Sequence, residues 1–269
     1  MLSARQIADA LDAHGLAPTK ALGQNFVVDP NTVRRIARLA DVGPGDRVVE
    51  IGAGLGSLTL ALVETGADVT AIEVDRGLVP VLRDHLSGHD VRIVEGDARS
   101  LDWDELLPGG GWVLVANLPY NVGTPLLADL LVGVPAIDRF LVMVQLEVAR
   151  RLVAGPGEPD RGALSVKVEC RAQARIVGKV GANVFLPKPK VESALVELRR
   201  HTTVPADAEA ISALAETAFH QRRKMLRRSL GDLVDADGFV AADVEPTARP
   251  EELDLDSWSR LAAVAASDR

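Results

Sequence analysis

Residues 115–125 read VANLPYNVGTP. The apolar run from Trp112 to Ala116 stops at Asn117-Leu118-Pro119-Tyr120, so a core strand ends in an amide, a proline and the only tyrosine of the chain. A polar acceptor beside a flat ring suits a planar ligand that donates hydrogen bonds. Proline lacks an N–H and stiffens the turn. A lone four-residue match reads equally well as a turn with a packed tyrosine. Two earlier strand ends carry related chemistry. VVEIGAGLG (Val48–Gly56) runs a strand into Gly52, Gly54 and Gly56, and glycine lets a ligand approach the backbone closely. Glu73 closes AIEVD about twenty residues later, where a carboxylate can accept from both hydroxyls of a ribose. Asp97, in EGDA, can accept from an adenine amino group while the Ala98 N–H donates to a ring nitrogen. Each acid alone reads as a solvated strand end. Three successive strands ending in glycines, an acid and an acid are hard to explain that way, because ligands of open α/β sheets bind at the carboxyl edge.

The elements that must hold these residues follow from periodicity. Residues 3–14 read as a helix closed by Gly15, "KALGQNF" as a loop, and TVRRIARLA as a helix stopped by Gly43-Pro44-Gly45. Apolar strands then alternate with helices of about ten residues: RVVEIG, DVTAIEVD, VRIVEGD, GWVLVAN and FLVMVQ against SLTLALVETG, GLVPVLRDHL and TPLLADLLV. Strands that are apolar throughout imply a parallel sheet covered on both faces, a doubly wound α/β domain. After Pro156 and Pro159 the pattern loosens. VESALVELR reads as a late, antiparallel edge strand. Beyond residue 201 the composition turns helical, so a sheet domain over 1–200 and a small all-helical domain over 201–269 are expected.

Composition bounds the chemistry. The chain has 269 residues, a net charge of −8 and one cysteine. A single cysteine excludes an internal disulfide framework, and five scattered histidines argue against a metal enzyme. No apolar run approaches a membrane span, and the N-terminus lacks the apolar stretch of a signal peptide, so a cytoplasmic protein is expected. The net charge argues against a globally basic nucleic-acid binder but leaves room for a local basic face. QRRKMLRRSL places Arg222, Arg223, Lys224, Arg227 and Arg228 within seven residues. On a helix, 223, 227 and 230 share one face and 224 and 228 roughly another. A charge run is usually a solvated face; beside a base-binding motif we read it as phosphate contact. Arg34, Arg35, Arg38, Lys188 and Lys190 extend that reading. Cys170 reads as a small buried apolar group, and the tryptophans as packing residues.

The glycine-acid-acid pattern resembles an S-adenosylmethionine site of Rossmann-like class I methyltransferases. Asn-Leu-Pro-Tyr resembles the [ND]-x-P-[YF] motif of methyltransferases acting on exocyclic amines. An adenine N6 amine is a poor nucleophile, because its lone pair is delocalised into the ring. The Asn117 side-chain oxygen and the Leu118 carbonyl would hold its N–H groups and favour a more tetrahedral nitrogen, with Tyr120 stacked on the base. ALGQNFVVD (Ala21–Asp29), FLVMVQLEVARRL, VFLPKPKVESALVEL (Val184–Leu198) and AFHQRRKMLRRSLGD together resemble the ribosomal RNA adenine N6,N6-dimethyltransferase family, in order and spacing, across roughly residues 18–262. That resemblance implies S-adenosylmethionine as cofactor, with Gln24, Asn25 and the backbone at Val27 near its methionine end. Gly52, Gly54, Glu73, Asp97, Ala98 and Asn117 would complete the cofactor site. It places Phe185 on the face of the target adenine opposite Tyr120, a flipped base between two rings. It implies a monomer acting on two adjacent adenosines in a 3′-terminal hairpin of small-subunit rRNA during ribosome assembly. PKPKV departs from the three prolines of many relatives and adds the Lys188 charge.

Three alternatives remain at this level. Erythromycin-resistance methylases share the domain and act on large-subunit rRNA, although Leu118 and the C-terminal region look more like the small-subunit enzymes. An RNA-binding assembly factor could use the fold without chemistry. An NAD-dependent oxidoreductase is disfavoured by the GxGxG spacing and by Asn-Leu-Pro-Tyr.

Overall fold

The computed structural model describes residues 1–19 and 22–267; Lys20 and Ala21, part of the expected "KALGQNF" loop, lie outside the described residues. The chain divides into two compact units, Met1–Ala149 with Ile176–Arg199, and Arg150–Arg175 with Arg200–Arg269.

The first unit opens with α1 (Ala4–Ala13), the short strand β1 (Phe26–Val27) and α2 (Pro30–Ala40). Asp29 caps α2, accepting from the N–H groups of Asn31 and Thr32, with Pro30 in the first turn. Then come β2 (Arg47–Ile51), α3 (Ser57–Val63), β3 (Asp68–Glu73), α4 (Leu78–His85), β4 (Val91–Glu95), α5 (Trp103–Leu106), β5 (Trp112–Asn117), α6 (Gly123–Gly133) and β6 (Ile137–Gln145). After α7 (Leu146–Val153) and α8 (Ala163–Glu169) the chain forms β7 (Ala172–Val180), the two-residue β8 (Phe185–Leu186) and β9 (Ser193–Arg200).

The main sheet has the order β4-β3-β2-β5-β6-β9-β7. Strands β2 to β6 pair in parallel, and β9 runs antiparallel to β6. Val48, Val69, Val113, Val115, Leu141 and Met143 pack with residues of α2 and α3 in one core. The alternate residues Val49, Leu114 and Val142 are buried as well, so both faces of the sheet are covered, as continuous apolar strands require. The chain runs outward from β2 to β4, then returns to lay β5 on the other side of β2. The order therefore reverses between β2 and β5, the switch point where open α/β sheets bind ligands.

One expectation is corrected here. β9 is antiparallel, but β7 lies outside it and forms the edge. β7 escapes the sequence pattern because an edge strand is only partly covered: Gln173, Arg175 and Lys179 interrupt its apolar residues.

The second unit holds α9 (Ala208–His220), α10 (Leu226–Ser229), α11 (Ala236–Ala241) and α12 (Leu255–Ser267). Its core gathers Val166, Cys170, Ile211, Leu214, Leu226, Leu230, Phe239, Trp258 and Leu261. Beside the boundary expected near residue 201, this unit also takes residues 150–175, because Val166 and Cys170 bury against the C-terminal helices.

Candidate active site

A cavity enclosing about 870 Å³, its open mouth included, lies at the carboxyl ends of β2, β3 and β5. Its walls are the turn after β2 (Gly52 to Leu55), Glu73 and Val74, Asn117 to Tyr120, and a strap formed by residues 22–27. The size suits a cofactor-sized ligand.

The glycine turn is built by backbone geometry. Gly54 has φ +59°, and a Cβ there would stand 3.0 Å from the Phe26 ring. Its N–H donates to Glu73 Oε2 at 2.7 Å, while Glu73 Oε1 accepts from the Asp75 N–H at 2.8 Å. Glu73 is buried; burial pushes its carboxyl up, and the two backbone N–H groups oppose that shift. Each carboxylate oxygen keeps acceptor capacity beyond these bonds.

Sequence reading passed over Glu50. It lies within β2, 2% exposed, and lines the cavity. Its Oε2 has no hydrogen-bond partner among the described residues. Burial pushes its carboxyl up to about 8, with the nearby Glu73 charge adding to the shift and the Thr59 hydroxyl opposing it. The available signal was an acid inside an otherwise apolar strand, VVEIG, where an unpaired charge is costly.

At the end of β5, Asn117 Nδ2 donates to the Asn25 carbonyl at 2.8 Å. Leu118 is buried and its N–H donates to Met143 O at 3.1 Å. Pro119 O accepts from the Gly123 N–H at 2.7 Å, closing the turn into α6. The Tyr120 hydroxyl meets Ser193 Oγ at 2.6 Å; burial pushes the phenol up, and that bond opposes the shift. Gln24 Nε2 donates to Asp75 Oδ2 at 2.7 Å and Gln24 Oε1 accepts from the Thr19 N–H, fastening the strap to the end of β3.

Thus Gln24, Asn25, Val27, Gly52, Gly54, Glu73, Asn117, Leu118, Pro119 and Tyr120 surround one cavity. Asp97, Ala98 and Phe185 are not among its lining residues. The Asp97 carboxylate is taken up by Arg99, whose backbone N–H and guanidinium both donate to it, and Arg99 holds its carboxyl below the usual range. Ala98 is buried and its carbonyl accepts from Trp103 Nε1. Phe185 is 4% exposed; it pairs with Val27 across β1 and β8 and packs in the core beneath α2.

In the second unit Arg222, Arg223, Lys224, Arg227 and Arg228 are all exposed. They do not share one helix face. α9 ends at His220 and α10 begins only at Leu226, because Leu226 and Leu230 turn into the core. Arg222 donates to the Pro159 carbonyl and lies 3.9 Å from Glu251. Among the described residues no cluster of three or more metal-ligating side chains occurs, and no helix is long and apolar enough to cross a membrane.

The family model described as "Ribosomal RNA adenine dimethylase" matches residues 17–266. The chain belongs to the ribosomal RNA adenine dimethylase family. Among relatives of this dimethylase chain, a protein of Leifsonia xyli subsp. xyli named "Ribosomal RNA small subunit methyltransferase A" is 46% identical, covering 98% of both chains. A protein of the same name from Thermobifida fusca is 46% identical over 92% of this chain and 90% of its own. Among solved structures, 23S rRNA methyltransferase ErmE is similar with a TM-score of 0.70 and 28% identity, covering 90% of this chain and 99% of that one. A dimethyladenosine transferase from Plasmodium falciparum has a TM-score of 0.76 at 23% identity, covering 87% and 94%; it shares the fold, a class I methyltransferase sheet.

Proposed function

We propose that this dimethylase transfers methyl groups from S-adenosylmethionine to N6 of two adjacent adenosines in a 3′-terminal hairpin of small-subunit rRNA, as a cytoplasmic monomer acting in ribosome assembly. The observation that carries the reading is the Asn117-Leu118-Pro119-Tyr120 turn standing in the wall of the same cavity as the glycine turn and Glu73.

The residues present fit such a cofactor. Glu73 offers remaining acceptor positions for a ribose, and the orphaned Oε2 of Glu50 suits a cationic group whose charge would draw off the Glu50 proton. When bound, the cofactor supplies an electrophilic methyl on a sulfonium. The chain supplies position and acceptors. Asn117 Oδ1 and the Leu118 carbonyl would accept hydrogen bonds from the two N6 N–H groups and raise electron density on nitrogen as the methyl arrives, the proton of the methylated amine then passing to solvent. Tyr120 stacks on the ring, and the Ser193 bond fixes its plane. No strong general base is needed, since the amine becomes acidic only during transfer. Holding amine and methyl in line is the main contribution. Two rounds on one base require space for a monomethylated nitrogen. Asp97 would share its carboxylate between Arg99 and an adenine amino group, and Phe185 reaches a base only by leaving its core position.

The large-subunit alternative rests on the ErmE likeness. At 28% identity it is weaker support than the relatives at 46% over nearly the whole chain. The test is methyl transfer from labelled cofactor onto unmethylated small and large subunits, with mass spectrometry of the digested RNA. N6,N6-dimethyladenosine in the small subunit alone, lost in Asn117→Ala, is the expected result. Label in the large subunit would move the reading to the resistance-type methylases. No label with binding intact would leave an assembly factor.

A further inference from the structure

The strap and the base-binding turn meet at two points. The Asn25 carbonyl accepts from Asn117 Nδ2 at 2.8 Å. Gly23, at φ +64°, has no room for a side chain: a Cβ would stand 2.5 Å from Asn121 Oδ1 and 3.0 Å from Pro119 Cβ. The other side of the strap is fastened by Gln24 to Asp75, two residues from Glu73.

A carbonyl can only accept. Its contact with Asn117 therefore decides which end of that amide faces the strap, and Oδ1 is turned the other way. Among the described residues Oδ1 has no protein partner. We propose that the Asn25 backbone carbonyl is a positioning group for methyl transfer, which locks the Asn117 amide so that Oδ1 faces the incoming amine. This rests on the methyl-transfer reading above. In this chain Asn117 then uses both halves of its amide: Nδ2 for the strap, Oδ1 for the substrate. Seating of the strap over the cofactor cavity and readiness of the acceptor become one event.

Asn117→Asp separates the two halves. It keeps the shape and offers a stronger acceptor. When ionised it has no donor and sets a charge against the Asn25 carbonyl. When protonated, its O–H donates to that carbonyl and its other oxygen accepts the amine. A carboxyl in this cavity titrates above its usual value of about 3.9, because burial and the neighbouring acids oppose its charge. The titratable groups lining the same cavity are Glu50, Glu73 and Tyr120; they are common to both proteins, so the ratio of variant to wild type at each pH removes their own titration.

The experiment is single-turnover methyl transfer to small subunits from pH 6 to 8.5, for wild type, Asn117→Asp, Gly23→Ala and the double variant. Expected is a loss on the order of 100-fold for Asn117→Asp at pH 8.5, shrinking steadily towards pH 6. In the Gly23→Ala background, where a side chain at φ +64° strains the strap against Asn121 and Pro119, that recovery should be smaller. Hydrogen exchange across residues 22–28 of the unliganded proteins should be faster in Asn117→Asp than in wild type at pH 8.5, with the difference narrowing towards pH 6. An Asn117→Asp enzyme as active as wild type at pH 8.5, or hydrogen exchange across residues 22–28 no faster than in wild type at pH 8.5, overturns the positioning role while methyl transfer stands. A wild type that transfers no methyl overturns the functional reading and the positioning role with it.

Discussion

Glu50 and Tyr120 make distinct claims at the scale of the residue. Glu50 is buried in β2 with an unpartnered oxygen, and its carboxyl titrates at about 8 in the folded chain against about 4.3 when unfolded. The folded state therefore keeps a proton that the unfolded state gives up. Stability from this source is full below about pH 4.5 and is lost as pH rises to about 8, amounting to a few kcal/mol. Thermal unfolding of the unliganded protein should show that decline, and Glu50→Gln should flatten it; an equal slope in both proteins would refute the assignment. Tyr120 is held by Ser193, so ring and hydroxyl have separable roles. Tyr120→Ala should weaken RNA binding by about 1–3 kcal/mol as the stacking ring is removed. Tyr120→Phe and Ser193→Ala should each raise KM a few-fold with little change in kcat, and the double variant should be no worse than either, since both remove the same bond. Additive losses would mean that the hydroxyl does not orient the ring.

The exposed cations between α9 and α10 matter as an element. They lie on a turn and a four-residue helix, so their use depends on exposure and not on a shared helix face. Replacing Arg223, Lys224, Arg227 and Arg228 by Gln should lower the dependence of log affinity on log salt by about 0.7–0.9 for each phosphate that is no longer neutralised. Arg222→Gln should change that slope less and lower unfolding stability more, because its guanidinium is engaged by the Pro159 carbonyl. Salt titrations of RNA binding with the two variants would decide, and equal slopes would argue that the run is a solvated face. Strands β2, β3, β5 and β6 were legible because apolar residues run along both faces, and the edge strand β4 because Val91, Ile93 and Val94 still mark it beside exposed Arg92 and Glu95; in β7 Gln173, Arg175 and Lys179 break the pattern. The end of α9 was hidden because Leu226 and Leu230 set it by packing elsewhere in the unit, a tertiary choice that local periodicity does not carry. Glycines, Glu73 and the Asn117 turn were legible for the opposite reason: each sits at the end of a strongly patterned strand. Glu50 was missed inside such a strand, and neither the Asp97–Arg99 pair nor the core packing of Phe185 leaves a mark on spacing.

For the whole molecule, the decisive matter is which segments fold together. A break at residue 200 looks natural in the sequence, yet residues 150–175 find their core partners beyond it. Arg161, 1% exposed, donates to Glu169, the Ala154 carbonyl and the Leu253 carbonyl. Arg171, 3% exposed, donates to Ser212 and Glu209. Cys170 between them is fully buried, and burial pushes its thiol up to about 11. A fragment ending at residue 200 would take Ser212 and Glu209 from Arg171 and the Leu253 carbonyl from Arg161, which keeps Glu169 and Ala154, and would bare Val166 and Cys170. For Arg171, which loses its carboxylate, leaving a buried cation without its acceptor costs about 3–5 kcal/mol. Cys170 reports on the outcome because it is the only cysteine. In the full chain at pH 8 it should be inert to a thiol reagent, being both inaccessible and protonated. In the 1–200 fragment it should react at the rate of an exposed thiol, while the parallel strands of the sheet, none of which depends on residues beyond 200 for its pairing, keep their slow hydrogen exchange. Equal protection of Cys170 in both proteins would show that residues 150–175 fold with the sheet, and would restore the boundary that the sequence alone suggests.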